Sequence, residues 1–129
     1  MKINERGEKM SSENENIIDF LKCISDNTRF KILKLIAEDT LCVCELTEIL
    51  DRTQPCISQH MARFKKLNLV NEKKDKQWSY YSLNNKKYNE YLKTLNNLKN
   101  LDFKNLGLNN IEKKYQETKS KDLCNIKNN

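Results

Sequence analysis

Apolar residues return at helical intervals in five places along the chain, and a sixth stretch is rich in β-prone residues. Ile17, Ile18, Leu21 and Ile24, widened by Phe20, predict a helix from about residue 13. Ser25-Asp26-Asn27-Thr28 interrupts it with capping residues. A second helix follows, with Phe30, Leu33, Ile36 and Ala37 expected inward and Arg29, Lys31 and Lys34 outward, and Asp39-Thr40 ends it. A third, short helical pattern covers residues 41–50 with Val43, Leu46, Ile49 and Leu50 facing the core. After a break at Asp51-Arg52-Thr53, the residues Ile57, Met61, Phe64 and Leu67 keep the i, i+4, i+7, i+10 spacing of one buried stripe.

Two short helices joined by three residues have the outline of a helix-turn-helix. Thr53 can cap the second helix through its hydroxyl, and Pro55 is tolerated because first-turn amides lack intrahelical partners. Opposite the buried stripe lie Pro55, Cys56, Gln59, Ala62, Arg63 and Lys66, a small-to-polar face with two cations and no acid. Such a face suits a groove, and the helix N-terminus favours an adjacent phosphate.

Residues 69–73 and 77–83 are β-prone runs separated by Lys74-Asp75-Lys76, which predicts a hairpin with a basic tip and with Trp78 pinning its base to the core. A last helix is expected from about residue 86 to 101, with Tyr88, Tyr91, Leu92, Leu95 and Leu98 in one continuous stripe. A small trihelical core has no surface left for that stripe. We therefore expect this helix and the first one to pair with their copies across a two-fold axis, with packing inside the chain as the plain alternative. The expected fold is mainly α with a small β-hairpin: a winged helix-turn-helix, homodimeric through its first and last helices. Residues 1–12 read as a flexible arm, residues 13–101 as the DNA-binding and dimerisation domain, and residues 102–129 as a polar, mostly flexible tail in which 111–119 can form a turn or two.

Charge sharpens this picture. Residues 1–51 carry a net −4, whereas residues 52–76 and 77–129 each carry +5, so the basic part begins at the second helix of the motif. A cationic face of this kind is the footprint of phosphate binding, although Lys also keeps a Lys- and Asn-rich chain in solution. Two glycines and one proline in 129 residues disfavour an all-β architecture. No apolar run approaches the roughly 18 residues of a membrane span, and no hydrophobic signal core opens the chain, so the expectation is a soluble cytoplasmic protein with no membrane partner.

Five cysteines without a secretory signal are not expected to form a disulfide framework. Soft-ion coordination, redox sensing and ordinary burial stay open for them. His60 is the only histidine. It falls at the border of the buried stripe and is expected as a packed, hydrogen-bonded residue beside DNA rather than a metal ligand. No nucleophile-base pair, glycine-rich phosphate loop or carboxylate constellation suggests an enzyme.

The order helix, helix, helix-turn-helix, wing, helix resembles the ArsR/SmtB family of metal- and metalloid-responsive winged-helix repressors. Four motifs carry the resemblance: residues 21–33, Leu41-Cys42-Val43-Cys44-Glu45-Leu46, Gln54-Pro55-Cys56-Ile57-Ser58-Gln59-His60-Met61, and Trp78-Ser79-Tyr80-Tyr81-Ser82-Leu83. The family binds palindromic operators in double-stranded DNA as a homodimer and leaves when an inducer binds. The resemblance implies that Gln54, Ser58, Gln59 and His60 contact the operator and that Lys73, Lys74 and Lys76 meet phosphates from the wing. Thr53, Cys56 and Arg63 share the exposed side of the same helix and complete the expected DNA-binding set. Gln59 stands where the family commonly has Arg, and the wing tip carries Asp75-Lys76 where it often has Gly. With a single histidine, the zinc site that some relatives build from paired histidines on the last helix cannot form.

Cys42-Val43-Cys44 resembles the pair of the family's arsenic, antimony, cadmium and lead sensors, and soft thiolates independently select thiophilic ions. The implied inducer is As(III) or Sb(III), with Cd(II), Pb(II) or Zn(II) as alternatives. Residues i and i+2 of a regular helix point about 200° apart, so joint capture predicts an unwound first turn in the third helix. Binding would then disturb the DNA reader that follows. The most similar arsenic sensors place a third thiolate where this chain has Thr47. Cys124 and Cys23 are the candidate third ligands, Cys56 ranks last, and a two-thiolate site completed by water, hydroxide or a small thiol is equally acceptable. Two other functions stay in view: a thiol redox switch through Cys42, Cys44, Cys56 or Cys124, and a sequence-independent DNA- or RNA-binding module that uses only the basic face.

Overall fold

Asp26 sets the first corner of the molecule, because its carboxylate accepts the Arg29 amide at 2.9 Å and so starts one helix two residues after another has ended. The computed structural model describes residues 12–124. In order these form α1 (Ser12–Ile24), α2 (Asn27–Glu38), β1 (Leu41–Cys42), α3 (Val43–Leu50), α4 (Gln54–Lys66), β2 (Val70–Asp75), β3 (Trp78–Leu83), α5 (Asn85–Asn96), a 3-10 turn (Leu98–Asn100) and α6 (Asn109–Ser120). The chain divides into two compact units, Asn16–Asn96 and Asn97–Asn129 with Met1–Glu15. The arm expected over residues 1–12 lies, apart from Ser12, outside the described residues.

In the first unit one face of every helix meets a single core. Phe20 of α1, Ile32 and Ile36 of α2, Leu46 of α3, Ile57, Met61 and Phe64 of α4, and Tyr91 of α5 are all buried in it. Phe20 stacks on Tyr91 with ring centroids 4.6 Å apart and meets Tyr88 edge-on at 6.4 Å, which joins α1 to α5. The Tyr91 hydroxyl donates to the Leu67 carbonyl at 2.9 Å, so its polar end is satisfied inside the core.

Several inward assignments change. Ile32 and Ile36 line the buried side of α2, which turns Phe30 to the opposite side, 61% exposed, and leaves Ala37 exposed as well. In the eight-residue α3 one line is buried, Leu46 with Val43 and Leu50 packed beside it, and Ile49 falls beyond that line at 52% exposure. The last helix stops at Asn96 rather than 101, and only a 3-10 turn carries the chain on to Asn100. Three of the five stripe residues, Tyr88, Tyr91 and Leu95, pack inside the chain, while Leu92 and Leu98 stay exposed.

The sheet also differs from a bare hairpin. Leu41 and Cys42 are not helical: they form β1, which pairs antiparallel with β3 as Leu41 to Tyr81 and Cys42 to Tyr80, giving the strand order β1-β3-β2. β2 runs two residues further than expected, to Asp75, which pairs with Trp78, and Lys76-Gln77 is the turn. Lys76 takes φ 59°, the left-handed region that favours glycine. Trp78 therefore sits at the tip, 43% exposed, and does not pin the base. That task falls to Tyr81, which is buried and donates its hydroxyl to Glu72 Oε2 at 2.6 Å, while Lys65 of α4 reaches the same oxygen at 3.0 Å. The hydrogen bond from Tyr81 and then Lys65 hold the Glu72 carboxyl below its usual range. This trio ties the end of α4 to both wing strands. Tyr81→Phe is expected to lower stability by about 1 kcal/mol in urea denaturation, since a bond to a charged acceptor is lost.

In the second unit the polar segment folds further than its composition suggested. α6 runs for 12 residues, and Phe103 stacks on Tyr115 at 6.1 Å. The helix spans the residues 111–119 for which a turn or two was expected and extends past them at both ends.

Candidate nucleic-acid interface and cysteine pair

The helix-turn-helix is built as the chain pattern required. Asp51 closes α3 in the left-handed conformation with φ 52°, and its amide bonds back to the Thr47 carbonyl. Thr53 then caps α4, its Oγ1 accepting the Cys56 amide at 3.3 Å, with Pro55 in the first turn. Burial of Ile57, Met61 and Phe64 turns Gln54, Ser58, Gln59 and Arg63 to solvent on the other side, with Thr53 exposed at the start and Cys56 half-buried. Lys73 and Lys74 stand exposed on β2, and Lys76 in the turn. No acidic residue lies on α4.

His60 is half-buried, and a partner that the pattern missed holds it. Arg29 Nη1 lies 3.0 Å from His60 Nδ1, and Arg29 Nε donates to the Cys23 carbonyl at 2.7 Å. Arg29, expected to point outward, instead joins the end of α1, the start of α2 and α4. The long side chain and fork of donors make this reach possible, and a helical wheel does not register it. Burial lowers the His60 pKa from 6.5, with Arg29, Arg63 and Arg52 acting the same way and Asp26 opposing them. A depressed histidine pKa means that the unfolded chain takes up its proton first as pH falls. Stability is therefore complete above pH 6.5 and declines below it, toward the lower folded midpoint. His60→Gln should remove that part of the decline, measured as the difference in denaturation midpoint between wild type and variant from pH 7 to 5.5.

At the other end of α3 the two cysteines meet. Cys42 is the N-cap, in extended backbone with φ −88° and ψ 164°, and Cys44 is the second residue of the helix. Their Cα atoms are 5.4 Å apart and their sulfurs are joined as a disulfide. Cys42 belongs to the strand rather than to the helix expected over residues 41–50, so its sulfur turns back over Cys44 while α3 keeps its first turn. The junction is braced: the Cys42 amide donates to Glu45 Oε1 at 3.0 Å, and the Thr47 hydroxyl donates to the Cys44 carbonyl at 2.7 Å. Cys42 is buried and Cys44 exposed.

Three further cysteines are free thiols. Cys23 is buried near Arg29, Arg63 and Asp26, and burial pushes its thiol pKa up, the reverse of what a soft-ion ligand needs. Cys124 is exposed in the second unit. Among the described residues no group of three or more His, Cys, Asp or Glu side chains is arranged to hold a metal ion. No helix among the described residues is long and apolar enough to cross a membrane.

Helix, turn, capped second helix and basic hairpin define a winged helix-turn-helix DNA-binding protein. Residues 26–72 match the family described as bacterial regulatory protein, arsR family. The arsenic resistance transcriptional regulator ArsR1 of Pseudomonas putida is 44% identical over 63 residues, 48% of this chain and 49% of that one, so the chain spans about half of that relative's length. The cadmium resistance transcriptional regulatory protein CadC of Listeria innocua is 35% identical over 86 residues, 65% of this chain and 72% of CadC. Among solved structures, HlyU from Vibrio cholerae N16961 aligns with a TM-score of 0.53 at 31% identity, covering 57% of this chain and 80% of HlyU. The chain belongs to the ArsR/SmtB family of winged-helix transcriptional repressors, and it is a DNA-binding regulator rather than an enzyme.

Proposed function

We propose that this protein is a homodimeric repressor that binds a palindromic operator and releases it when trivalent arsenic or antimony is captured by the thiolates of Cys42 and Cys44. The observation that carries this reading is the convergence of the two sulfurs at the junction of β1 and α3. Cys44 is exposed in the first turn of α3, and reduced sulfur is the donor that soft ions select. Cadmium, lead or zinc is the nearest alternative inducer, and the likeness to a cadmium regulator keeps it in play.

The route from ion to DNA runs two ways. β1 is hydrogen-bonded to wing strand β3, and α3 packs directly on α4. An ion seated between Cys42 and Cys44 sets the spacing of β1 against α3, so it bears on the wing and the reading helix together without unwinding α3. It releases DNA only to the extent that it binds the released arrangement more tightly.

Dimerisation is supported by Ile18 and Leu21 on α1 and Leu92 on α5. These apolar side chains stay exposed on helices already joined by the Phe20 and Tyr91 rings. Across a two-fold axis such a surface is self-complementary and sets two reading helices on successive major-groove faces. Gln54, Ser58, Gln59, His60 and Arg63 are then the groove-facing residues, with Thr53 and Cys56 at the helix start and Lys73, Lys74 and Lys76 on phosphate. Gln59→Ala should cost about 1 to 3 kcal/mol on the operator and relax one position of each half-site, whereas Lys74→Ala should weaken all sequences alike. Fluorescence anisotropy on selected and scrambled duplexes separates the two, and equal losses for both variants on both duplexes would count against the assignment.

The test of the whole reading is selection of a duplex from a random pool, followed by addition of arsenite, antimonite or cadmium to the complex. A symmetric winner released by one of these ions supports it. Winners without symmetry, or complexes indifferent to all three ions, oppose it.

The disulfide favours a second reading, in which oxidation is the signal. A peroxide takes two electrons and two protons from the thiols, forming the S–S bond and two waters. That reading predicts release by peroxide without any ion and rebinding after a reductant is added.

A further inference from the structure

The His60 ring has two nitrogens and the protein engages one of them. Arg29 has no acceptor, so its contact with Nδ1 at 3.0 Å is a hydrogen bond only if Nδ1 is unprotonated, which places the ring proton on Nε2. The donor is itself fixed. Arg29 Nε is held by the Cys23 carbonyl at 2.7 Å, and the Arg29 amide is held by the Asp26 carboxylate at 2.9 Å. Among the described residues no protein group is bonded to Nε2, and the ring is half-exposed on the DNA-facing helix.

From this we infer that Arg29 is a positioning residue for DNA recognition, fixing His60 in the Nε2–H form so that the reading helix offers a donor at this place to an acceptor oxygen or nitrogen of the duplex. The inference rests on the proposed role as an operator-binding repressor. Lys in place of Arg29 has one ammonium where two directed bonds are needed, to the Cys23 carbonyl and to Nδ1, so it does not reproduce the arrangement. Gln in place of His60 keeps an N–H at the position of Nε2, whereas Asn keeps an acceptor toward Arg29 and loses the outer donor.

The test uses the full-length reduced protein, a fluorescent duplex selected by the wild type from a random pool, and a scrambled duplex of the same composition. Proton–nitrogen correlation spectra of the His60 side chain, taken without DNA, should show a single Nε2–H form in the wild type. In Arg29→Met the spectra should show both forms mixed and a higher titration midpoint, since removing Arg29 leaves Asp26 to oppose only Arg52, Arg63 and burial. His60→Gln should bind the selected duplex within about twofold of the wild type, while His60→Asn and Arg29→Met should lose about fivefold, the worth of one hydrogen bond. Loss on the selected duplex alone assigns the acceptor to a base edge, and equal loss on the scrambled duplex assigns it to a phosphate.

A wild type that shows Nδ1–H or both forms overturns the inference, and so does an Arg29→Met protein with an unchanged His60 spectrum. His60→Asn binding as tightly as His60→Gln overturns it too. Failure of the wild type to select any duplex strikes the repressor reading instead. The spectra of the wild type decide even if Arg29→Met does not fold.

Discussion

Replacing Cys42 and Cys44 together by serine should leave operator affinity within about twofold of the wild type and abolish release by arsenite, read as anisotropy of a labelled operator. Folding should survive the change. Cys42 is an N-cap, a position where serine outperforms most residues, and Cys44 is already exposed. The loss should be large because the switch depends on the ion: moving a complex from 99% bound to 99% released takes about 5.5 kcal/mol of preference for the released arrangement. Hydroxyls supply none of it, since neutral oxygen donors do not compete with thiolates for soft ions. Either single variant should behave nearly the same, because one sulfur cannot set the spacing of β1 against α3.

Phe20→Ala should cost about 3 to 5 kcal/mol, the range for emptying an aromatic site in a packed core. Phe20 is fully buried and contacts both Tyr88 and Tyr91. Against a total of about 5 to 15 kcal/mol for a small domain, this is about a fifth of the stability or more. The denaturation midpoint should drop with little change in slope. The effect should reach DNA binding as well, because Phe20 holds α1 against α5, and those two helices carry the exposed apolar residues Ile18, Leu21 and Leu92. A midpoint close to that of the wild type would show that the aromatic stack contributes little.

How much of this could be read from the residues depends on the length of each pattern. α4 was legible in detail: four apolar positions keep one period, Thr53 and Pro55 mark the start, and the outward face follows by geometry. The hairpin was legible as a pair of strands, but its turn was not, because Lys76 occupies a backbone conformation that its residue type does not announce. β1 had no chance of detection. It is two residues long and exists through pairing with Tyr80 and Tyr81, about 40 positions away. Missing it placed Leu41 and Cys42 in the helix that begins at Val43.

The α2 face was misassigned for a related reason. Leu33 and Ile36 fit a stripe through Phe30, but the stripe through Ile32 is the one that meets α1 and the sheet. Arg29 shows the limit of charge as a guide. A cation on an amphipathic helix was read as solvated, yet its guanidinium spans three elements. α6 is a polar helix whose residues carry few apolar signals, so composition alone favoured a flexible tail. The two cysteines were visible as near neighbours in the chain, while the way their sulfurs meet depended on the strand.

The most direct measurement follows two signals in one sample: thiolate-to-ion charge-transfer absorbance and anisotropy of the bound operator, recorded together as arsenite is added to the reduced dimer. The account predicts that both reach their plateaus at the same equivalents of arsenite, with DNA free at the end. Absorbance that saturates while the operator stays bound would contradict it.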